Sequence, residues 1–219
     1  MRPLPRWNAQ GGSLYSKFRR LNFSRCTIFM SELAKLEEAA KAGRGLPPVH
    51  RWSPDFTGDL DMRIAADGSW HYQGSPIHRD RMVRMFSTIL RKDADGRTYL
   101  VTPHEKYSIT VEDAPFTIVE MDVEGAGQDQ ELLFRSNVGD VCRAGAEHPL
   151  RFEAVGDDGT LKPYVVIRDR LEALVSRSIF YDLVELGTIE PIDDVDWFGV
   201  WSGGQFWPMA PADEIEAED

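Results

Sequence analysis

The sequence predicts an α+β fold: two related strand-hairpin-plus-helix units from an internal duplication, with mostly antiparallel sheets. Three observations carry this. Asp-Gly pairs at 67–68, 95–96 and 158–159 stand between extended runs, the usual signal for a tight turn between strands. Two stretches, Ile77 to Arg91 and Arg168 to Leu186, place apolar residues at helical spacing. The same order of strand, Asp-Gly turn, strand and helix occurs twice, each helix being entered through Arg-Asp-Arg (79–81 and 168–170). A shift of 89 puts Met82 on Leu171, Met85 on Leu174, Phe86 on Val175 and Leu90 on Ile179. Two copies at so long a period indicate duplication of a small unit, not a solenoid.

The elements follow in chain order. Ser31 to Ala42 reads as a short helix, capped by Ser31 and ended by Gly43. Residues 43–48 (Gly-Arg-Gly-Leu-Pro-Pro) form a linker, and Trp52, Pro54 and Phe56 read as a loop clamped onto a core. The first unit spans 59–137. In it Leu60 to Ile64 is a strand, and Trp70 and Tyr72 share one face of the return strand. The helix at 77–91 follows, then strands at 98–102, 107–111, 116–123 and 131–134. The second unit spans 138–209. It has strands at 150–152 and 164–167, the helix at 168–186 with Gly187 as its C-cap, and a hairpin across Ser202-Gly203-Gly204. Residues 210–219 form an acidic, solvated tail.

Charge is uneven. Residues 1–29 carry six basic residues and no acid, so the total of −11 leaves −17 on residues 30–219. An acidic body repels phosphates, which argues against general nucleic-acid binding. Residues 1–29 read as a disordered or mis-annotated basic extension, with Met30 as the expected true start because Met30-Ser31-Glu32-Leu33 opens a helix. Residues 30–58 are then the N-terminal helix and linker. No apolar run is long enough for a transmembrane helix, so no membrane association is expected. Cys26 and Cys142 show neither metal spacing nor a disulfide framework, which suits unpaired thiols in a reducing, cytoplasmic compartment.

Motifs for chemistry are incomplete. His78-Arg79-Asp80 spells the kinase catalytic-loop tripeptide, but its Asn, Asp-Phe-Gly and Gly-rich companions are missing. Gly125-Ala126-Gly127 lacks the third glycine and the following helix of a dinucleotide fingerprint. The five histidines have no ligand spacing, and neither a metal nor a cofactor is expected. The arginines are the informative feature. Arg79 and Arg168 stand at expected helix N-termini, where the macrodipole disfavours a cation. Their acids, Asp80 and Asp169, offset this locally. The alternative is that both arginines bind an anion, joined by Arg135 near the passage between the units. Glu105 and His148 form an acid–base pair only if the fold joins them. Arg177 and Tyr181, four apart on one helix face, pack at a core edge or line a groove.

Several ordered blocks resemble a known family. They are Trp70-x-Tyr72-x-Gly74-Ser75-Pro76-Ile77-x-Arg79, Leu100-Val101-Thr102-Pro103-x-Glu105-Lys106 and Val111-Glu112-Asp113-Ala114-Pro115-Phe116, then Phe134-Arg135-Ser136-Asn137, His148-Pro149-Leu150 and Pro163-Tyr164-x-x-x-Arg168-x-x-Leu171-Glu172-Ala173. Together they resemble the bacterial domain of unknown function family 1285, over roughly Asp59 to Trp207. Ser136 stands where Thr is expected. The resemblance implies a duplicated α+β core whose C-terminal unit is superficially pleckstrin-homology-like. It also implies a site between the units for a nucleotide-like ligand, with a role in signal transduction. Carried over, it places Arg79, Glu105, Arg135, Asn137, His148, Tyr164 and Arg168 near that cleft.

The expectation is a non-catalytic, regulatory protein that binds a small anionic, nucleotide-like molecule between its units, with no protein partner assigned. Arginines would hold the anion, Asn137 and His148 would orient it, and Tyr164 would pack on an apolar ring. One alternative is a hydrolase using Glu105 and His148. Another is a protein-interaction module built on Trp197, Trp201 and Trp207.

Overall fold

A computed structural model describes residues 46–156 and 160–216. The helix expected at 31–42, the Met30 start, Cys26, the Asp158-Gly159 turn and residues 217–219 lie outside these.

The first sheet has six strands: β1 (Phe56–Ile64), β2 (Trp70–Tyr72), β3 (Ser75–Pro76), β4 (Leu90–Lys92), β5 (Thr98–Val101) and β6 (Lys106–Val111). Their spatial order is β3-β2-β1-β6-β5-β4. All pairs are antiparallel except the central one, β1 with β6. Helix α1 (Asp80–Thr88) leaves β3 and returns the chain to β4. It covers the sheet by stacking Phe86 on Trp70, with ring centroids 6.3 Å apart and planes 14° apart. Phe86, Ile89, Leu90 and Leu100 are wholly buried, each contributing roughly 1.5–3 kcal/mol of apolar burial. Arg91 on β4 anchors the loop ahead of β1 by donating to the carbonyls of Val49 (3.0 Å) and Trp52 (2.7 Å). The hold on this loop thus comes from Arg91 and not from the expected packing of Trp52, Pro54 and Phe56: the first two are half-buried, and Phe56 is exposed as the first residue of β1.

The second sheet repeats this plan. Its strands are β7 (Phe116–Glu124), β8 (Glu131–Ser136), β9 (Val141–Arg143), β10 (Leu150–Val155), β11 (Thr160–Arg168) and β12 (Leu171–Val175). The order is β10-β11-β12-β7-β8-β9, again with only the first and last strands parallel, at the centre. Each sheet is thus two three-stranded meanders joined through its first and sixth strands. The expected duplication is present, but in a different register. The sheets correspond at an offset of about 60 residues, Phe56 matching Phe116 as the opening residue, not at 89. Helix placement differs too: α1 lies between the third and fourth strands, whereas α2 (Arg177–Glu185) follows the sixth.

Three further expectations are corrected. The helix expected at 168–186 is a strand followed by a shorter helix, and Arg168-Asp169-Arg170 lies at the β11–β12 turn, with Asp169 at φ +48°. Leu171, Leu174 and Val175 fit helical spacing, but burial alternates from Leu171 to Val175 with period two. Parallel pairing of Ala173 with Phe116 and Val175 with Ile118 makes this short apolar run a strand. Arg168 therefore does not stand at a helix N-terminus. The strands at 116–123 and 131–134 form as expected, but pair within the second sheet. The helix expected at 77–91 is shorter, because Leu90 to Lys92 pairs with β5.

A third, three-stranded sheet contains β13 (Thr188–Ile192), β14 (Val195–Ser202) and β15 (Gln205–Pro211), followed by α3 (Ala212–Glu216). The expected hairpin joins β14 to β15 through Gly203 and Gly204, both at positive φ, the backbone a two-residue hairpin turn needs.

Candidate functional site

The passage from the first sheet to the second is Glu112-Asp113-Ala114-Pro115. Asp113 accepts from Tyr164 Oη and from Lys162 Nζ, both at 2.7 Å. Burial raises its carboxyl pKa, but the Lys162 and Tyr164 bonds outweigh that and hold it below the ordinary value. Burial, then Asp113, pushes the Tyr164 phenol well up, so it remains a donor. Arg151 lies 4.0 Å over the Tyr164 ring and forks onto Glu172 at 2.6 and 3.1 Å.

Arg168 closes the other side of this junction. Its Nη1 donates to Asp140 (2.7 Å), its Nη2 to the Ser87 carbonyl of α1 (2.6 Å), and its guanidinium lies 4.9 Å from the Phe116 ring. Next to Phe116, Thr117 and Asn137 bond reciprocally: Asn137 N donates to the Thr117 carbonyl (2.8 Å) and Thr117 N to Asn137 Oδ1 (3.2 Å). The Asp67-Gly68 turn of the first sheet docks here. A Cβ on Gly68 would stand 2.6 Å from Thr117 Oγ1 and 3.3 Å from Asn137 Nδ2.

The remaining expected site residues are dispersed. His148 Nδ1 is 2.9 Å from the Val166 carbonyl, which can only accept, so Nδ1 carries the proton. Arg79 is the exposed N-cap of α1, about 12 Å along the helix axis from Ser87. Arg135 is exposed and pairs with Glu120 across β7–β8 at 2.7 Å. Glu105 is buried ahead of β6, at the end of that strand remote from the 112–115 passage, and accepts from Tyr107 Oη at 3.3 Å. Asn137, Tyr164 and Arg168 thus share the junction, and His148 adjoins β11; Arg135 stands two residues before Asn137 but is paired with Glu120, and Arg79 and Glu105 lie elsewhere. Of the three tryptophans, Trp207 is buried and donates to the Ser202 carbonyl (3.1 Å), while Trp197 and Trp201 are half-buried.

A groove of about 350 Å³ lies on the second sheet, between the β11–β12 strands and α2, and shares Lys162 with the junction. Ligand pockets run from about 300 to 1,000 Å³. Leu161, Pro163, Leu174, Val175 and Phe180 give it apolar walls, and Lys162, Arg177 and Tyr181 edge it. Arg177 Nε donates to Tyr181 Oη at 2.9 Å, so the pair read from helical spacing does line a groove. Its strand residues carry no sequence signal for binding, because apolar residues in a strand read as core. Among the described residues no group of His, Cys, Asp and Glu is arranged to hold a metal, and no helix is long and apolar enough to cross a membrane.

Fold and contacts define a duplicated, predominantly β protein of the α+β class, in which two sheets of one topology are bolted together by Arg168, Asp113 and the Gly68 turn. The chain belongs to the DUF1285 family. Residues 47–114 match the family model described as "Domain of unknown function (DUF1285), N-terminal domain", and residues 115–209 match "Protein of unknown function (DUF1285), C-terminal domain". A crystal structure of a DUF1285 family protein from Silicibacter pomeroyi DSS-3 is similar, with 49% identity and a TM-score of 0.73 over 79% of this chain and 92% of that one. A second, from Shewanella baltica OS155, has 27% identity and a TM-score of 0.44 over 57% of this chain and 91% of that one. No curated protein matches.

Proposed function

We propose that this protein is a non-catalytic binding protein whose small organic ligand sits in the groove between β11, β12 and α2. The carrying observation is the groove itself, about 350 Å³ with apolar walls and a few polar groups at its edge. The junction between the sheets has the weaker claim. Arg168, Tyr164 and Asn137 there already bond to Asp140, Asp113 and Thr117, and an incoming ligand would have to displace those partners. The regulatory, signal-transducing role enters the proposal on the family resemblance alone.

The test is fluorescence titration with N-phenyl-1-naphthylamine, a neutral apolar probe. Saturable binding is expected, lost in Leu161→Trp, which fills the groove, while the circular dichroism spectrum and melting temperature hold. Unchanged binding in that folded variant refutes the groove. If instead Arg168→Ala removes binding while the melt remains cooperative, the site is the junction.

A further inference from the structure

The groove has a chemical bias that its volume does not express. Among the described residues its charged lining is Lys162 and Arg177, with no carboxylate. That is unusual in a chain with 36 acidic and 25 basic residues. The two cations are not equivalent. Lys162 is held by Asp113 at 2.7 Å. Arg177 is exposed, bonds to the neutral Tyr181 hydroxyl, and among the described residues is joined to no carboxylate. It is also the first residue of α2, whose first turn contains no acid and whose N-cap, Ser176, makes no side-chain capping bond. A cation at that end of a helix is opposed by the macrodipole. An anion beside Arg177 would relieve the opposition and accept charge-assisted bonds.

From this we infer that the ligand is a free single-chain amphiphile with an anionic head, such as a medium-chain carboxylate. The chain lies along Leu161, Pro163, Leu174 and Phe180, and the head group meets Arg177 at the mouth, with Tyr181 holding the guanidinium in place. Apolar walls alone would take an alcohol as readily as an acid; Arg177 supplies the discrimination. This rests on the groove being the binding site.

The experiment is displacement of bound N-phenyl-1-naphthylamine by decanoate and by decanol, in wild type and in Arg177→Gln. Decanoate is expected to displace the probe at a concentration about tenfold lower than decanol, the equivalent of one charge-assisted hydrogen bond. Arg177→Gln should remove that preference, the decanoate and decanol midpoints being compared within each variant at its own probe affinity. Equal potency of acid and alcohol, or a preference that survives Arg177→Gln, overturns the anionic head while the groove stands. Failure of the probe to bind removes both. Sedimentation with anionic phospholipid vesicles, without displacement by decanoate, overturns the free amphiphile in favour of a membrane surface.

Discussion

Arg168 donates through Nη2 to the backbone carbonyl of Ser87 at 2.6 Å, tying the last residue of β11 to helix α1 across 81 positions of sequence. The same guanidinium binds Asp140 at 2.7 Å, with only 16% of the Arg168 side chain and 22% of the Asp140 side chain exposed. One fork thus spans an acid of the β8–β9 turn and a carbonyl of helix α1. Arg168→Ala is expected to cost about 2–3 kcal/mol, because it strands a largely buried carboxylate and a carbonyl together. Arg168→Lys should recover only part, since a point charge cannot serve both acceptors at once. Urea unfolding measures this; a loss under about 0.5 kcal/mol for the alanine variant would make the contact incidental.

Asp113 should give the junction a pH dependence. Its pKa is held below the ordinary 3.8: burial raises it, but the bonds from Lys162 and Tyr164 lower it more. A depressed carboxylate stabilises the fold fully above its unfolded pKa and loses that contribution as pH falls through the folded value. Wild type should therefore exceed Asp113→Asn in melting temperature near neutrality, and the gap should shrink below about pH 4. A gap that stays constant from neutral pH into strong acid would contradict the assignment.

Gly68 has φ +80°, and any side chain there meets Thr117. Gly68→Ala should cost about 1–2 kcal/mol for the left-handed backbone, plus the clash. Adding Thr117→Ala removes the 2.6 Å contact with Oγ1, so the double variant should regain the clash component but not the backbone component. Strict additivity of the two substitutions would show that the turn does not dock on Thr117.

Cys142 is 5% exposed, and burial, with Asp140 nearby, pushes its thiol up to about 11. At pH 8 roughly one thiol in a thousand is then ionised. In a Cys26→Ser background, Ellman's reagent should leave the native protein unlabelled and react fully in denaturant. Rapid stoichiometric labelling of the native chain would place Cys142 at the surface.

Much of the architecture was legible as local pattern. Asp67-Gly68, Asp95-Gly96 and Ser202-Gly203-Gly204 marked turns because positive φ suits glycine there. Trp70 and Tyr72 marked a half-buried strand, and the repetition of units was visible as repeated element order. The expected helix at 168–186 failed for a reason of length. Leu171 to Val175 satisfies both helical and extended periods, and five residues are too few to separate them. The choice came from pairing with β7, some 55 residues earlier, and it removed the second helix entry on which the arginine repeat depended.

The candidate sites divide in the same way. The acidic body, the hairpins, the duplication and the family blocks are all read from the order of residues, and so is the pairing of Arg177 with Tyr181, because i and i+4 meet on any helix. That Arg168 faces Ser87 and Asp140, that Tyr164 meets Asp113, and that Leu161, Leu174 and Phe180 wall one groove are facts of the folded chain alone. Those neighbours come from separate strands and helices. Their proximity depends on which strand pairs with which and on how α2 lies over the sheet, and side-chain period along a single element records neither.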